Sequence, residues 1–169
     1  MREWINLCES KREISPELLN WVTRWVESSH QIEDQIELFD RIRDEAGRIL
    51  NVSYPVIYRG LSISDQDLDE LANGNTVTIP AHRLQSWSKS RSIASDYALP
   101  GHGGDTGVLV RKTGRRVEIV ADIENIVRRI SVKAFSANVR TDISREREVV
   151  VQTNGTLVIS PNEVLHFSV

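Results

Sequence analysis

The chain has 169 residues, of which 40% are hydrophobic and 27% charged, with a net charge of −3. That is enough chain for one domain with a buried core, and its balance is that of a globular protein rather than a disordered one. A single cysteine, Cys8, excludes an intrachain disulfide, four scattered histidines show no metal-ligand spacing, and no apolar run approaches the length of a membrane-spanning helix.

In chain order, the first residues lack the uninterrupted apolar stretch of a signal peptide, and a short helix is expected over 3–9. Ser15-Pro16 is a helix start, with serine as N-cap and proline in the first turn. Leu18, Leu19, Val22, Trp25 and Val26 then share one face, and Trp21 and Trp25, four apart, read as helix packing. A second helix puts Ile32, Ile36, Phe39, Ile42, Ala46, Ile49 and Leu50 on one stripe. Near residue 52 the pattern changes to short strands with turn punctuation. Residues 55–60 are β-rich, and 64–72 predict a short capped helix ended by Asn73-Gly74. Strands are expected over 76–79 and 83–88, and helical spacing returns at Ile93, Ala94, Tyr97 and Ala98. Residues 101–107 hold four glycines and predict a loop that matches no recognised phosphate-binding pattern. Strands are expected over 108–110 and 117–121, with Thr113-Gly114-Arg115-Arg116 as a hairpin turn carrying exposed charges. Residues 124–132 predict one or two helical turns with Arg128-Arg129 at the basic end. Residues 149–151 and 156–159 flank Asn154-Gly155, a hairpin signal, and 164–169 form a last strand. The expected class is α+β, a single domain in which helices of 1–51 pack on a mainly antiparallel, sandwich-like core of 52–169.

Three short elements carry possible chemistry. Tyr58-Arg59-Gly60 ends an apolar strand, so the Arg59 guanidinium could reach into a cleft and grip phosphate or ribose oxygens while Gly60 permits close backbone approach. Taken alone, its plain reading is a surface arginine before a turn glycine. In Leu84-Gln85-Ser86-Trp87-Ser88, strand alternation puts Ser86 and Ser88 on one face and Trp87 on the other. The plain alternative is a strand end with Ser88 or Ser90 capping the next helix. In Arg145-Glu146-Arg147-Glu148, extended backbone would bring Glu146 and Glu148 to one face, Cα atoms roughly 6.5–7 Å apart, directly before Val149-Val150-Val151. Its plain alternative is an alternating-charge edge strand that discourages aggregation.

The order of these elements resembles the arginine-serine-glutamate class of mono-ADP-ribosyltransferases, in its phage and bacterial form with a Glu-x-Glu motif. The resemblance covers roughly residues 54–160. Ala94 and Tyr97 fall where that family places an alanine and an aromatic after its Ser-Thr-Ser element, and three valines follow Glu148 as a strand follows the family's last glutamate. Trp87, where threonine is commonest, is a departure at a position expected to face away from the site, toward stacking or the core. The resemblance implies NAD as co-substrate and no metal. It implies Glu148 as the catalytic carboxylate, which also binds the ribose 2′-hydroxyl, with Glu146 facing the acceptor. Arg59, Gly60, Ser86 and Ser88 become the NAD-binding residues: Ser86 orients Glu148, and the Gly60 backbone grips the nicotinamide carboxamide. Glutamate at position 146 commonly goes with arginine acceptors in the family, and the polar segment 136–144 matches a loop that reads the target; Arg140 within it and Arg145 directly after it could dock an acidic partner or be solvated surface charges.

Charge is uneven. Residues 1–80 carry 8 basic against 15 acidic side chains, and residues 81–169 carry 13 against 9. The overall acidity disfavours nucleic acid as a partner, though the basic second half suits an anionic ligand. The expectation is a cytoplasmic monomer, in the producing or a recipient cell, that acts on a host protein and needs no membrane. NAD hydrolysis, a nucleic-acid or small-molecule acceptor, and a catalytically silent partner-binding module are the alternatives.

Overall fold

The computed structural model describes residues 14–27, 36–50, 56–100, 106–114, 116–130 and 146–168. Helix α1 (Pro16–Glu27) starts at its serine cap: the Leu18 amide donates to Ser15 Oγ at 3.1 Å. Its stripe buries Leu18, Trp21, Val22 and Trp25. Helix α2 (Ile36–Ile49) buries Phe39, Ile42, Ala46 and Ile49. Glu45 accepts from both the amide and the hydroxyl of Ser15, at 2.8 and 2.5 Å, which ties the helices together. Trp21 packs on Trp25 and on Phe39 at centroid distances of 5.3 and 5.0 Å. The helix expected over 3–9 and the stripe position Ile32 lie outside the described residues.

The β-rich part follows as β1 (Val56–Ile63), α3 (Asp65–Ala72), β2 (Val77–Pro80), β3 (Leu84–Ser88), α4 (Arg91–Asp96), β4 (Thr106–Thr113), β5 (Glu118–Asp122), α5 (Ile123–Arg129), β6 (Glu148–Gln152), β7 (Thr156–Ile159) and β8 (Val164–Ser168). Among the described residues these strands form a six-stranded sheet in the order β5-β6-β3-β1-β4-β8 and a two-stranded sheet of β2 and β7, with every pairing antiparallel. The α+β class with N-terminal helices is therefore observed. Of the glycine-rich stretch expected as a loop, 101–105 lie outside the described residues and Gly107 is inside β4.

Two expected hairpins take another form. The turn after Thr113 does not join paired strands, because β4 and β5 lie near opposite ends of the sheet. Asn154-Gly155 does not close a hairpin either, since β6 belongs to the large sheet and β7 to the small one. Both signals are local, and turn chemistry specifies a reversal without specifying which strand the chain then meets. At Asn154-Gly155 the chain turns a corner, with Gly155 at φ +95° and the Ala81 amide donating to the Gly155 carbonyl at 2.9 Å. The opposite chain turns with it at 81–83, so β2-β3 and β7-β6 run as one bent ribbon. Leu84 faces Gln152 before the corner and Pro80 faces Thr156 after it, with no register change.

Alternation sorts the strand residues onto the two faces of the large sheet. Val150 and Leu84 face α1, α2 and α5, joined by Ala121, Ile123 and Ile126. Val149, Val151, Trp87, Ile57 and Val110 face the small sheet, where Val77, Leu157 and Ile159 meet them. Burial on both faces accounts for the uninterrupted valine run. Trp87 is thus a core residue between the sheets, 1% exposed, with Nε1 donating to Gln85 Oε1 at 3.3 Å.

On the helical face, α4 seats on β1 and β4 by close backbone approach. A Cβ at Gly60 would lie 2.3 Å from the Ala94 carbonyl oxygen and 2.3 Å from the Ala98 nitrogen, and one at Gly107 would lie 2.4 Å from the Ala98 oxygen. Gly60→Ala should therefore cost about 1–3 kcal/mol or more, because backbone rather than a flexible side chain must move. Gly47→Ala is the contrasting change: it is exposed within α2 with nothing inside 4 Å, and should stabilise by about 0.5–1 kcal/mol. Urea unfolding of both variants measures the difference.

Candidate functional site

Strands β1 and β3 share a single register pair, Tyr58 with Ser88, and part beyond it. Helices α1, α2 and α5 cover the sheet on one side of this split and α4 covers it on the other. Between them opens a cavity of about 320 Å³, lined by Trp25 and Val26 of α1, by Tyr58, Arg59 and Gly60, by Ser86, Trp87 and Ser88, by Ile93, Ala94 and Tyr97, and by Glu146 and Glu148. Every site residue singled out from the sequence, Arg59, Gly60, Ser86, Ser88, Glu146 and Glu148, borders this one space.

Their placement differs in detail from expectation. Arg59 sits within β1 rather than at its end, since the strand continues to Ile63. It is in step with Ile57, Leu61 and Ile63 of the inter-sheet core, so its guanidinium lies in the split, where it donates to the Ser86 carbonyl. Burial lowers its pKa, against the raising influence of Glu148. Ser88, 8% exposed, is engaged with backbone: its hydroxyl donates to the Glu146 carbonyl at 2.6 Å and accepts from the Ser90 amide at 2.9 Å. Ser90 is the N-cap of α4 without a side-chain cap bond. The missing Cβ of Gly60 accommodates α4 of the chain itself.

The two glutamates are not brought together by strand alternation. Strand β6 begins at Glu148, and Arg147 has φ +50°, a left-handed turn that takes Glu146 out of the strand. The Arg147 carbonyl accepts from the Lys89 amide at 3.1 Å, and Ser88 holds the Glu146 carbonyl. These long-range clamps override the extended preference of the local sequence. Glu146 ends half-buried at the cavity edge, where the hydroxyl of Tyr97, itself 61% exposed, donates to Glu146 Oε1 at 3.4 Å.

Glu148 lies deeper, 8% exposed. Trp25 Nε1 donates to its Oε1 at 2.8 Å, and the Ser86 side chain also hydrogen-bonds the carboxylate. Burial pushes the Glu148 carboxyl above the usual carboxylate range. The bonds from Ser86 and Trp25 oppose that, Glu146 adds to it, and Arg59 opposes it. Trp25 is the site residue that sequence reading missed. Its signal was an indole N–H on a buried helix stripe, which seeks an acceptor, but nothing local names an acceptor 123 positions away.

A second charged cluster supports the Arg147 turn. Lys89 Nζ lies 2.6 Å from Glu124 and 3.3 Å from Asp122, and Arg128 pairs with Glu124 at 2.5 Å. Burial lowers the Lys89 pKa, although Glu124 works to raise it. Burial would raise Glu124, but the Lys89 hydrogen bond and the charges of Lys89, Arg128 and Arg147 outweigh it and hold that carboxyl low. Lys89 sits closer to Glu124 than to Asp122, and burial pushes Asp122 up to about 6. Asp122 also caps α5, accepting from the Asn125 amide at 3.0 Å. The helix runs Ile123–Arg129, so the basic end expected at Arg128-Arg129 is present, while 131–132 fall outside the described residues. Residues 136–144, with Arg140, and Arg145 also lie outside them.

No protein-family model matches the chain, and neither the curated proteins nor the solved structures compared with it show significant similarity. Among the described residues no helix is long and apolar enough to cross a membrane.

The Asp122 environment gives a stability test. Its native pKa of about 6 exceeds the ordinary 3.8, so the folded state holds this proton more tightly than the unfolded chain does. The group favours folding below about pH 4, and that contribution is lost as pH rises through about 6. Asp122→Asn keeps an N-cap acceptor and removes the titration. Between pH 4 and pH 7 its unfolding free energy should fall less than that of the wild type, by roughly 2–3 kcal/mol. Urea titrations across that range check it.

Proposed function

We propose that this protein is an NAD-dependent mono-ADP-ribosyltransferase that transfers ADP-ribose to arginine side chains of an acceptor protein. The supporting observation is convergence: three motifs far apart in the chain, which resemble that family in type and order, border one cavity with Glu148 buried at its wall beside Ser86 and Arg59.

In this reading the bond between ribose C1′ and the nicotinamide nitrogen breaks with its electron pair going to the ring. The leaving group departs as neutral nicotinamide, so no general acid is needed, unlike glycoside hydrolysis. Positive charge develops at C1′, and ionised Glu148 stabilises it electrostatically from a fixed position. Ser86 orients that carboxylate. The Arg59 guanidinium, a fork that serves more than one acceptor, holds phosphate and ribose oxygens. Glu146, at the open edge, docks the acceptor guanidinium and takes its proton as the new bond from nitrogen to C1′ forms. Water in place of the acceptor gives NAD hydrolysis by the same steps.

Glu148→Ala should reduce both arginine transfer and nicotinamide release by roughly 10²–10³-fold or more. Glu146→Gln should retain nicotinamide release and lose arginine modification. Labelled NAD with mass-spectrometric mapping of modified sites in expressing cells measures both. Modified arginines that persist in Glu146→Gln overturn the role of Glu146, and a wild-type chain that releases no nicotinamide points to a partner-binding module instead.

The pH dependence has a defined sign. Glu148 acts ionised and its pKa is raised, so activity should fall toward acid along a limb displaced above the ordinary value of 4.5. A kcat–pH profile of nicotinamide release locates that limb; one at or below 4.5 would count against Glu148 as the essential carboxylate.

A further inference from the structure

Helix α1 carries two buried tryptophans four residues apart, and only one of them reaches the cavity. We infer that Trp25 is a positioning residue for Glu148: its indole N–H fixes the carboxylate, making the last turn of α1 a working wall of the pocket. This inference rests on the transferase reading above and adds to it a residue that none of the three motifs contains.

Burial alone does not demand the Trp25 bond. Trp21 is 0% exposed, and its Nε1 meets no acceptor among the described residues, so this core tolerates an unpaired indole N–H. Trp25, 6% exposed, instead places its N–H 2.8 Å from Glu148 Oε1 and lines the cavity together with Val26. The donor type suits the task. An indole N–H donates and cannot accept, carries no charge and does not titrate. It orients the carboxylate without neutralising the negative charge that must face C1′, as a lysine in the same place would. With Ser86 on β3 as the other neutral donor, the carboxylate is held from the helical layer and from the sheet at once.

The test compares Trp25→Phe with Trp21→Phe in the full chain. Each change removes one indole N–H and a similar volume from α1. The Glu148 titration is followed by NMR on glutamate-labelled protein, and nicotinamide release from NAD gives kcat and KM. Trp25→Phe should raise the Glu148 pKa, move the acid limb of kcat upward, and lower kcat roughly 10–100-fold, with KM for NAD within about twofold. Trp21→Phe should leave the Glu148 titration and the kinetics unchanged. An unaltered Glu148 titration in Trp25→Phe, or equal changes in both variants, overturns the inference. If the wild type releases no nicotinamide, the transferase reading fails, and the Glu148 titration still decides whether Trp25 holds the carboxylate.

Discussion

A carboxylate removed from water must be met by donors or surrender its charge, and Glu148 imposes that condition on this fold. The desolvation of such an ion costs several kcal/mol even after relaxation. The compensation comes from three directions: an indole from α1, a hydroxyl from β3 and a guanidinium charge from β1. Each donor is fixed by packing elsewhere. The bonds of Ser15 to Glu45 anchor α1, strand pairing anchors Ser86, and the split between β1 and β3 gives Arg59 its place. The N-terminal helices are therefore joined to the site by a bond as well as by apolar burial.

One layer behind, a cluster of charges holds the backbone turn that separates the two glutamates. Arg147 is a non-glycine residue at positive φ, a conformation that persists only where the surroundings enforce it. The Lys89 amide and the Ser88 hydroxyl grip the carbonyls on either side of that turn, and the Lys89 ammonium is in turn held by Glu124 and Asp122. Glu148 belongs to the sheet, whereas Glu146 belongs to the turn. A change in the turn can thus move one carboxylate while β6 keeps the other in register.

Much of this architecture was legible in the chain because its signals are periodic. The stripes of α1 and α2, the valine run of β6 and the cap of α3 at Ser64 all appear where amphipathic spacing, two-sided burial and turn chemistry place them. What local pattern cannot encode is partnership across the chain. Asn154-Gly155 looked like a hairpin because a turn signal carries no record of which sheet receives the next strand. Glu146-Arg147-Glu148 looked extended because the clamps that bend it come from Lys89 and Ser88. The candidate site followed the same division: Arg59, Ser86 and Glu148 announced themselves by motif, while Trp25 looked like packing and is packing, with a hydrogen bond added.

The bent ribbon of β2-β3 against β7-β6 bears on how the phase of β6 is set. The register is one and the same on both sides of the corner, so the small sheet and the strand that carries Glu148 are locked like two ends of a single toothed rack. A slip of one residue at Val77 and Ile159 would propagate through the corner and exchange the two faces of β6, turning Glu148 toward the inter-sheet core and Val149 toward the cavity. Leu157 and Ile159, which never approach the cavity, resist that slip through their burial between the sheets. The small sheet thereby acts as a remote alignment key for a carboxylate several residues away.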